Sequence, residues 1–547
     1  MSHLHRLMVL AAAAGAAPAG GASHVIPYPL APGGAASGLF KVYVNDTEVP
    51  VEELPFGEKA HVASWAAAYP ARVRVKALDG PIASCRVRPV RRGIKAEVKG
   101  DEAVFDLAGP EHLLLEVDGR PWLCLFADSH KDVDDTKPQG KVVQCIQPTS
   151  PAPGAMENPM GSNPIERAMD ELSSQGGGTL VLPPGRYEAT RLNIPTGVTL
   201  HLVAGALLDC ANIVANKVER AGLTGQGVLW RAKGGGTMVL FNECRHSRIA
   251  GLRIHTQPNM AWTIIMAGDD SSITNVKMVN PCLNRVRAND GINVINSRRV
   301  TLDRFFYIGG DDAVSIKGYR RKFGDAGDGS VMRDIVFDNI VCVTSCGAAK
   351  IGSESGAKEI AHSVFRNMDV LDCGRVALIM LWDPVNVHDI RFENIFVERC
   401  RGRNRQRLID FVMGDPERSR TNGGAVLEDI EVVNFVAQEA SVRPSRIAGF
   451  SKERPVRNVM LRGVVIAGKP IATEKDADFE ICFAENVRFV GPDGQVRVAA
   501  SEDRPPVTGQ YKPDVHGVPG GPAPGQQPLG REPAPAREKP PASPFDR

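Results

Sequence analysis

Two short phrases stand out for the chemistry their side chains could do. One is Asn289-Asp290-Gly291-Ile292-Asn293-Val294; the other is Gly309-Gly310-Asp311-Asp312-Ala313-Val314-Ser315-Ile316-Lys317. Registering Ile292 on Val314 and Val294 on Ile316 stacks Asp290 on Asp312, with Asp311 beside them. If the two phrases form neighbouring strands, about 4.8 Å apart, three carboxylates share one small patch. Like charges that close repel, so at least one pKa has to rise. A carboxylic acid beside a carboxylate is the equipment for general acid–base hydrolysis, a glycosidic bond being the fitting target. Asp-Gly and Gly-Asp-Asp are also ordinary turn strings, and clustered acids suit calcium. Alignment across two phrases favours catalysis over both.

Something must stack these phrases, and residues 151–500 supply a repeat. A polar turn, an apolar strand, often an Asn and a second strand recur. The phrase is seen at Ser272-Ile273-Thr274-Asn275-Val276, Asp334-Ile335-Val336-Phe337-Asp338-Asn339-Ile340 and Asp389-Ile390-Arg391-Phe392-Glu393-Asn394-Ile395. Taking Ile249, Ile273, Val300, Ile335, Val364, Ile390, Ile430, Val459 and Val487 as markers, subtraction gives steps of 24, 27, 35, 29, 26, 40, 29 and 28. Coils of roughly 25–30 residues fit a parallel β-helix, in which each coil buries its apolar face on the next. No Leu-rich consensus or helix per repeat is present, and propeller blades are longer. Asn163-Pro164-Ile165-Glu166 opens a helix that covers the first coil, with Ile165, Ala168, Met169 and Leu172 on one face.

Ahead of the solenoid, residues 39–150 read as a small antiparallel β-sandwich and linker. Alternating segments such as Phe40–Val44, Ala71–Lys76 and His112–Val117 are separated by the turns Asn45-Asp46, Asp79-Gly80 and Asp118-Gly119. Residues 1–22 read as a signal peptide, which implies a secreted or periplasmic protein. Residues 501–547 hold twelve prolines and six glycines and read as a disordered tail. The fold class is therefore all-β.

Composition excludes several functions. Lys+Arg 65 against Asp+Glu 63 gives +2, so no nucleic-acid partner is expected. No apolar run beyond the N-terminus is long enough for a membrane-spanning segment. Eleven cysteines without CxxC spacing argue against zinc. Many of them sit in apolar runs, so few disulfides are expected. Oligomeric state is not legible.

The repeat, Asn289-Asp290-Gly291, and Gly310-Asp311-Asp312 some 21 residues later resemble glycoside hydrolase family 28, the polygalacturonase family. The opening Gly176-Gly177-Gly178-Thr179-Leu180-Val181-Leu182-Pro183-Pro184-Gly185 is similar to that of pectin-active β-helices. A sandwich ahead of the solenoid looks like dextranases of family 49. The resemblance implies a right-handed, pectin-lyase-like β-helix and an inverting hydrolase acting on a polysaccharide, pectic by analogy. It implies no cofactor and no metal. Asp311 would be the general acid, and Asp290 and Asp312 would hold and activate the water. Two family phrases are altered. Gly-His-Gly is matched by Gly352-Ser353-Glu354-Ser355-Gly356, and Arg-Ile-Lys by Gly374-Arg375-Val376-Ala377-Leu378-Ile379 registered on Ile351 and Leu378. Substrate contacts are therefore expected from Lys317, Lys350, Glu354 and Arg375, with Trp262, Tyr319 and Trp382 as sugar-stacking faces. The glycan could be a substituted pectin, rhamnogalacturonan or a neutral α-glucan. A uronate lyase and a non-catalytic glycan-binding β-helix are the competing readings.

Overall fold

The structure, a computed structural model, describes residues 24–54, 60–145, 163–231, 236–256, 262–281, 283, 289–319, 330–402, 406–414 and 424–506. Residues 1–22, read as a signal peptide, and nearly all of residues 501–547 lie outside the described residues, as do 320–329 and 415–423.

Two sheets form the sandwich. One joins Phe40–Val44, Thr47–Val49, Ala71–Ala77, Glu97–Lys99 and Glu102–Leu107. Asn45 and Asp46 both take left-handed φ, 45° and 65°, and close the first hairpin as read. The other sheet contains Ala60–Ala67 and Trp122–Ser129, which the alternation did not reveal. Ala60–Ala67 is buried at every position, because one face meets the sandwich core and the other the solenoid. Such a strand carries no polar alternation. These two strands also pair in parallel, in an otherwise antiparallel unit. The sandwich begins earlier than residue 39, since Val25–Pro27 pairs with Ala60–Ala67.

The solenoid also begins early. Val142–Gln144 already pairs with Thr179-Leu180-Val181, ahead of residue 151. From there parallel strands stack to Ala484–Val490 on three faces, with one continuous apolar interior. The capping helix spans Pro164–Ser174, and Asn163 accepts from Ile165 N at 2.8 Å. Glu166 bonds across to the backbone and side chain of Asn193, so it ties the cap to the first coil.

The recurring Asn has a structural cause. Asn339, Asn367, Asn394, Asn434, Asn458 and Asn486 all adopt φ near +54°. There the chain turns a corner, and Asn tolerates the left-handed region better than most residues. Several side-chain amides join in ladders, Asn394 to Asn367 at 3.1 Å and Asn434 to Asn394 at 3.1 Å. Inside, Phe337, Phe365 and Phe392 stack at centroid spacings of 4.8 and 5.1 Å.

Two markers were misregistered. Ile273 pairs with Leu302, two residues beyond Val300, and Ile390 pairs with Ser363, one residue before Val364. Ser363 is buried and donates to the Ala361 carbonyl at 2.9 Å, a polar residue at an inward position that hides the register. The ten described cysteines are free thiols.

The sandwich docks along the second solenoid face. Phe126 meets Phe306 at 5.0 Å, within a cluster that includes Leu114, Val279, Ile308 and Val343. Ion pairs seal the seam: Lys277 holds both oxygens of Asp128 at 2.9 Å, and Arg88 holds Glu398 at 2.7 Å. Lys277 and Asp128 are both buried, so removing one partner strands the other's charge. Lys277→Met is expected to destabilise the protein by about 3 kcal/mol, and the double variant with Asp128→Asn by clearly less. Thermal unfolding midpoints test this; equal losses in single and double variants would remove the pair from the seam's energetics.

Candidate active site

The three aspartates come together where the second face turns into the third. Strand Arg298–Gly309 runs along the docked face, bends through Gly310-Asp311-Asp312 and continues as Val314–Gly318. Ile292 pairs with Val314 and Val294 with Ile316, the register read from the sequence. Gly291 N donates to the Asp312 carbonyl at 2.8 Å, locking Asp290 and Asp312 on adjacent coils.

Close packing shapes both turns. Tyr307 Oη donates to the Asn289 carbonyl at 2.7 Å and contacts the Asp311 carbonyl at 3.1 Å, so one phenol spans both acid-bearing turns. Its ring leaves no space for a side chain at Gly309, where a Cβ would lie 2.2 Å from Oη. At Gly291 a Cβ would lie 2.2 Å from the Ala313 carbonyl oxygen. Thr344, one coil on, donates its hydroxyl to the Asp311 carbonyl.

Two buried ammonium groups lie among the acids. Lys317 Nζ sits 3.0 Å from Asp290 Oδ2 and 3.8 Å from Asp312 Oδ2, which caps the separation of those oxygens at 6.8 Å, the sum of the two reaches. Lys350 Nζ sits 2.7 Å from Asp312 Oδ2, and Gly347 N donates to Asp312 Oδ1 at 3.2 Å. The lysine side chains are 4% and 8% exposed. Trp262, in register with Asp290, lies 5.0 Å beneath the Lys317 ammonium and meets Tyr319 edge-on at 5.5 Å.

This arrangement separates the three carboxyls. Burial pushes Asp312 up, but Lys350, Lys317 and Arg375 outweigh it and hold it ionised, well below the usual range. Burial pushes Asp290 up to about 8, against Lys317 and with the repulsion of Asp311 and Asp312. Asp311 is raised by burial and by Asp312. Lys317 favours the ionised form of Asp290 without outweighing burial and the repulsion of Asp311 and Asp312. Asp290 and Asp311 are thus the two raised groups and Asp312 the ionised one.

The other expected residues divide. Glu354 is 3.9 Å from Lys317 and hydrogen-bonded to Tyr319. Burial raises it, but Lys317 and Lys350 prevail and keep it ionised. Lys317 and Lys350, expected to reach substrate, are instead bonded to the acids. Arg375 is buried at 3% exposure, 3.6 Å from Asp410, behind the acids. Trp382 packs apart, on a cluster of Leu378, Met380, Val412, Ala448 and Cys482.

Registering Leu378 on Ile351 was one residue out. Lys350 pairs with Leu378, and Ile351 with Ile379. A one-residue slip exchanges the faces of a strand; Leu378 and Met380 therefore face outward, while Ala377 and Ile379 enter the core. Besides Lys350, the next coil brings Cys346 to the acids, again ahead of Gly352–Gly356, and its Sγ lies with oxygens of Asp311 and Asp312 in one group within 4.8 Å of one another. Tyr307 was missed because it reads as core within the apolar run Phe305-Phe306-Tyr307-Ile308, and Thr344 and Cys346 because the string Thr344-Ser345-Cys346-Gly347 carries no chemical signal of its own.

Residues 203–480 match the sequence model of the family described as "Glycosyl hydrolases family 28". No curated protein sequence matches the chain. Among solved structures, Dex49A from Penicillium minioluteum aligns with a TM-score of 0.57 and 13% identity, over 82% of this chain and 92% of that one. The solenoid spans residues 142–498, 357 of 547, so this shared fold extends into the sandwich. An exopolygalacturonase from Thermotoga maritima aligns with a TM-score of 0.47 and 16% identity, over 63% of this chain and 88% of that one.

Asp312 is ionised and Lys350 is its nearest cation. A carboxylate held low contributes stability above its unfolded value, about pH 4, and that contribution is lost as the pH falls through the folded value. Lys350→Met is expected to cost about 3 kcal/mol at neutral pH, with the gap to wild type narrowing below about pH 4. Unfolding at several pH values reads this; a gap independent of pH would separate Lys350 from Asp312.

Proposed function

Since the chain belongs to glycosyl hydrolases family 28, we propose that it cleaves the glycosidic bonds of a pectic polysaccharide by single displacement with inversion. Asp311 is the general acid, and Asp290 and Asp312 position and activate water. The observation that carries this reading is the electrostatic split among three adjacent carboxyls, imposed by Lys317 and Lys350.

Asp311, protonated, gives its proton to the leaving oxygen. Water attacks the anomeric carbon from the opposite face of the ring. Its proton passes to the Asp290–Asp312 side, and exchange with solvent restores the starting state. Inverting catalysis places acid and base roughly 6.5–9.5 Å apart, leaving space for that water. Trp262 and Tyr319, joined edge-on beside Lys317, offer an aromatic edge for a sugar ring. Glu354 stands at the same rim, within reach of a sugar hydroxyl. Lys317 and Lys350 serve the acids, so a uronate carboxylate has to be met by other groups. The signal-like residues 1–22 support export to the compartment where such polymers lie.

Asp311→Asn is expected to lower kcat by roughly 10²–10⁴-fold while the thermal midpoint holds. Reducing-sugar release from pectic polymers measures it. Proton NMR of the first product should show the inverted anomer; a retained anomer, or an unsaturated uronate end, would sink the mechanism. The reaction needs Asp311 protonated, and burial and Asp312 hold that group above the ordinary carboxylic acid range, so the alkaline limb of kcat/KM should lie above about pH 4. An alkaline limb at the ordinary carboxyl value would contradict the acid assignment.

A further inference from the structure

We propose that Cys346 is a positioning residue for the acid, its thiol donating to the Asp311 carboxyl while Arg375 fixes the sulfur from behind. This rests on the reading of Asp311 as general acid.

The geometry is specific. Cys346 Sγ lies within 4.8 Å of a carboxylate oxygen of Asp311 and of Asp312, and the thiol is hydrogen-bonded to Asp311. On its other side Arg375 Nη2 donates to Sγ at 3.8 Å. Arg375 is in turn 3.6 Å from the buried Asp410, which Arg446 holds at 2.8 Å. A chain of contacts thus runs from Arg446 through Asp410, Arg375 and Cys346 to Asp311. Thr344 doubles the link, because its hydroxyl accepts from Cys346 N at 3.0 Å and donates to the Asp311 carbonyl. Backbone and side chain of Asp311 are therefore both tied to one segment.

The thiol is not a nucleophile. Burial, reinforced by Asp312 and Asp311, pushes it far above the ordinary cysteine range, so S–H persists throughout. A guanidinium on the acceptor side of the sulfur polarises S–H toward the carboxyl. When Asp311 passes its proton to the leaving oxygen, the thiol bonds to the carboxylate left behind. No proton leaves Cys346 and no bond to sulfur forms. A bond that strengthens as charge develops acts on kcat more than on KM.

The groups facing Asp311 are Asp312, which raises it; Lys350 and Lys317, which lower it; Asp290, which Asp311 raises in turn; and the Tyr307 phenol. Cys346 belongs to the lowering set. Removing the donor should therefore move the alkaline limb of the pH–rate profile to higher pH. The experiment compares Cys346→Ala, Cys346→Val, Cys346→Ser and Asp311→Asn on pectic polymer. Alanine and valine variants should lose kcat by roughly ten- to a hundredfold. KM should hold within about twofold, with the alkaline limb displaced upward. Serine, still a donor, should restore both. Valine fills the thiol's space without donating and decides the matter if the alanine variant does not fold. Wild-type kcat and an unmoved limb in the valine variant, with Asp311→Asn inactive, would overturn this role and leave the acid assignment standing. Full activity in Asp311→Asn would instead overturn the acid assignment.

Discussion

Everything at this site depends on two ammonium groups placed among two buried carboxyls and a half-buried third. Without them the patch would enclose three like charges within a few ångströms of one another, and folding would oppose it. Lys317 and Lys350 do more than neutralise. Because Lys350 and Lys317 both face Asp312, that group stays ionised. Among the described residues Asp290 has Lys317 alone at ion-pair distance, and Asp311 feels both lysines from farther away. Unequal sharing of two cations among three acids is what makes chemically different groups out of identical side chains. A symmetric arrangement would have left nothing to serve as an acid.

The sandwich gives this arrangement a fixed frame. It covers the second face at the coils that end in Asp311 and in Cys346, through Phe306, Ile308, Val341 and Val343. The strand beneath the acid turn is therefore packed on both sides, by solenoid interior and by sandwich. Buried pairs along the seam set its register, since Lys277–Asp128 and Arg88–Glu398 can only be satisfied in one alignment.

Much of this was legible in the residues. The Asn positions, the apolar markers and the two acidic phrases identify a solenoid, because a left-handed corner, an inward side chain and a tight turn each select a narrow residue set. The acids' register came from Ile292 and Val294, whose apolar partners left no ambiguity. Legibility failed where that selection relaxes. Ser363 occupies an inward position and satisfies its hydroxyl locally, so the pattern slips by one. Leu378 and Met380 are apolar yet face outward, because a second small cluster covers them, and the slip there inverted two faces. Ala60–Ala67 shows no alternation because both of its sides are covered. Lys317 and Lys350 read as substrate-binding cations, since only the folded chain shows them enclosed with the acids as partners. Cys346 had no signal beyond its place one coil after the acids.

Tyr307 carries a consequence for motion. Its hydroxyl reaches carbonyls of both acid-bearing turns, and its ring fills the space that glycines leave open. A displacement of one turn is thus transmitted to the other through a single rigid ring. Thermal breathing of the solenoid should carry the carboxyls as one body, so their mutual spacing stays steadier than their distance to more remote coils.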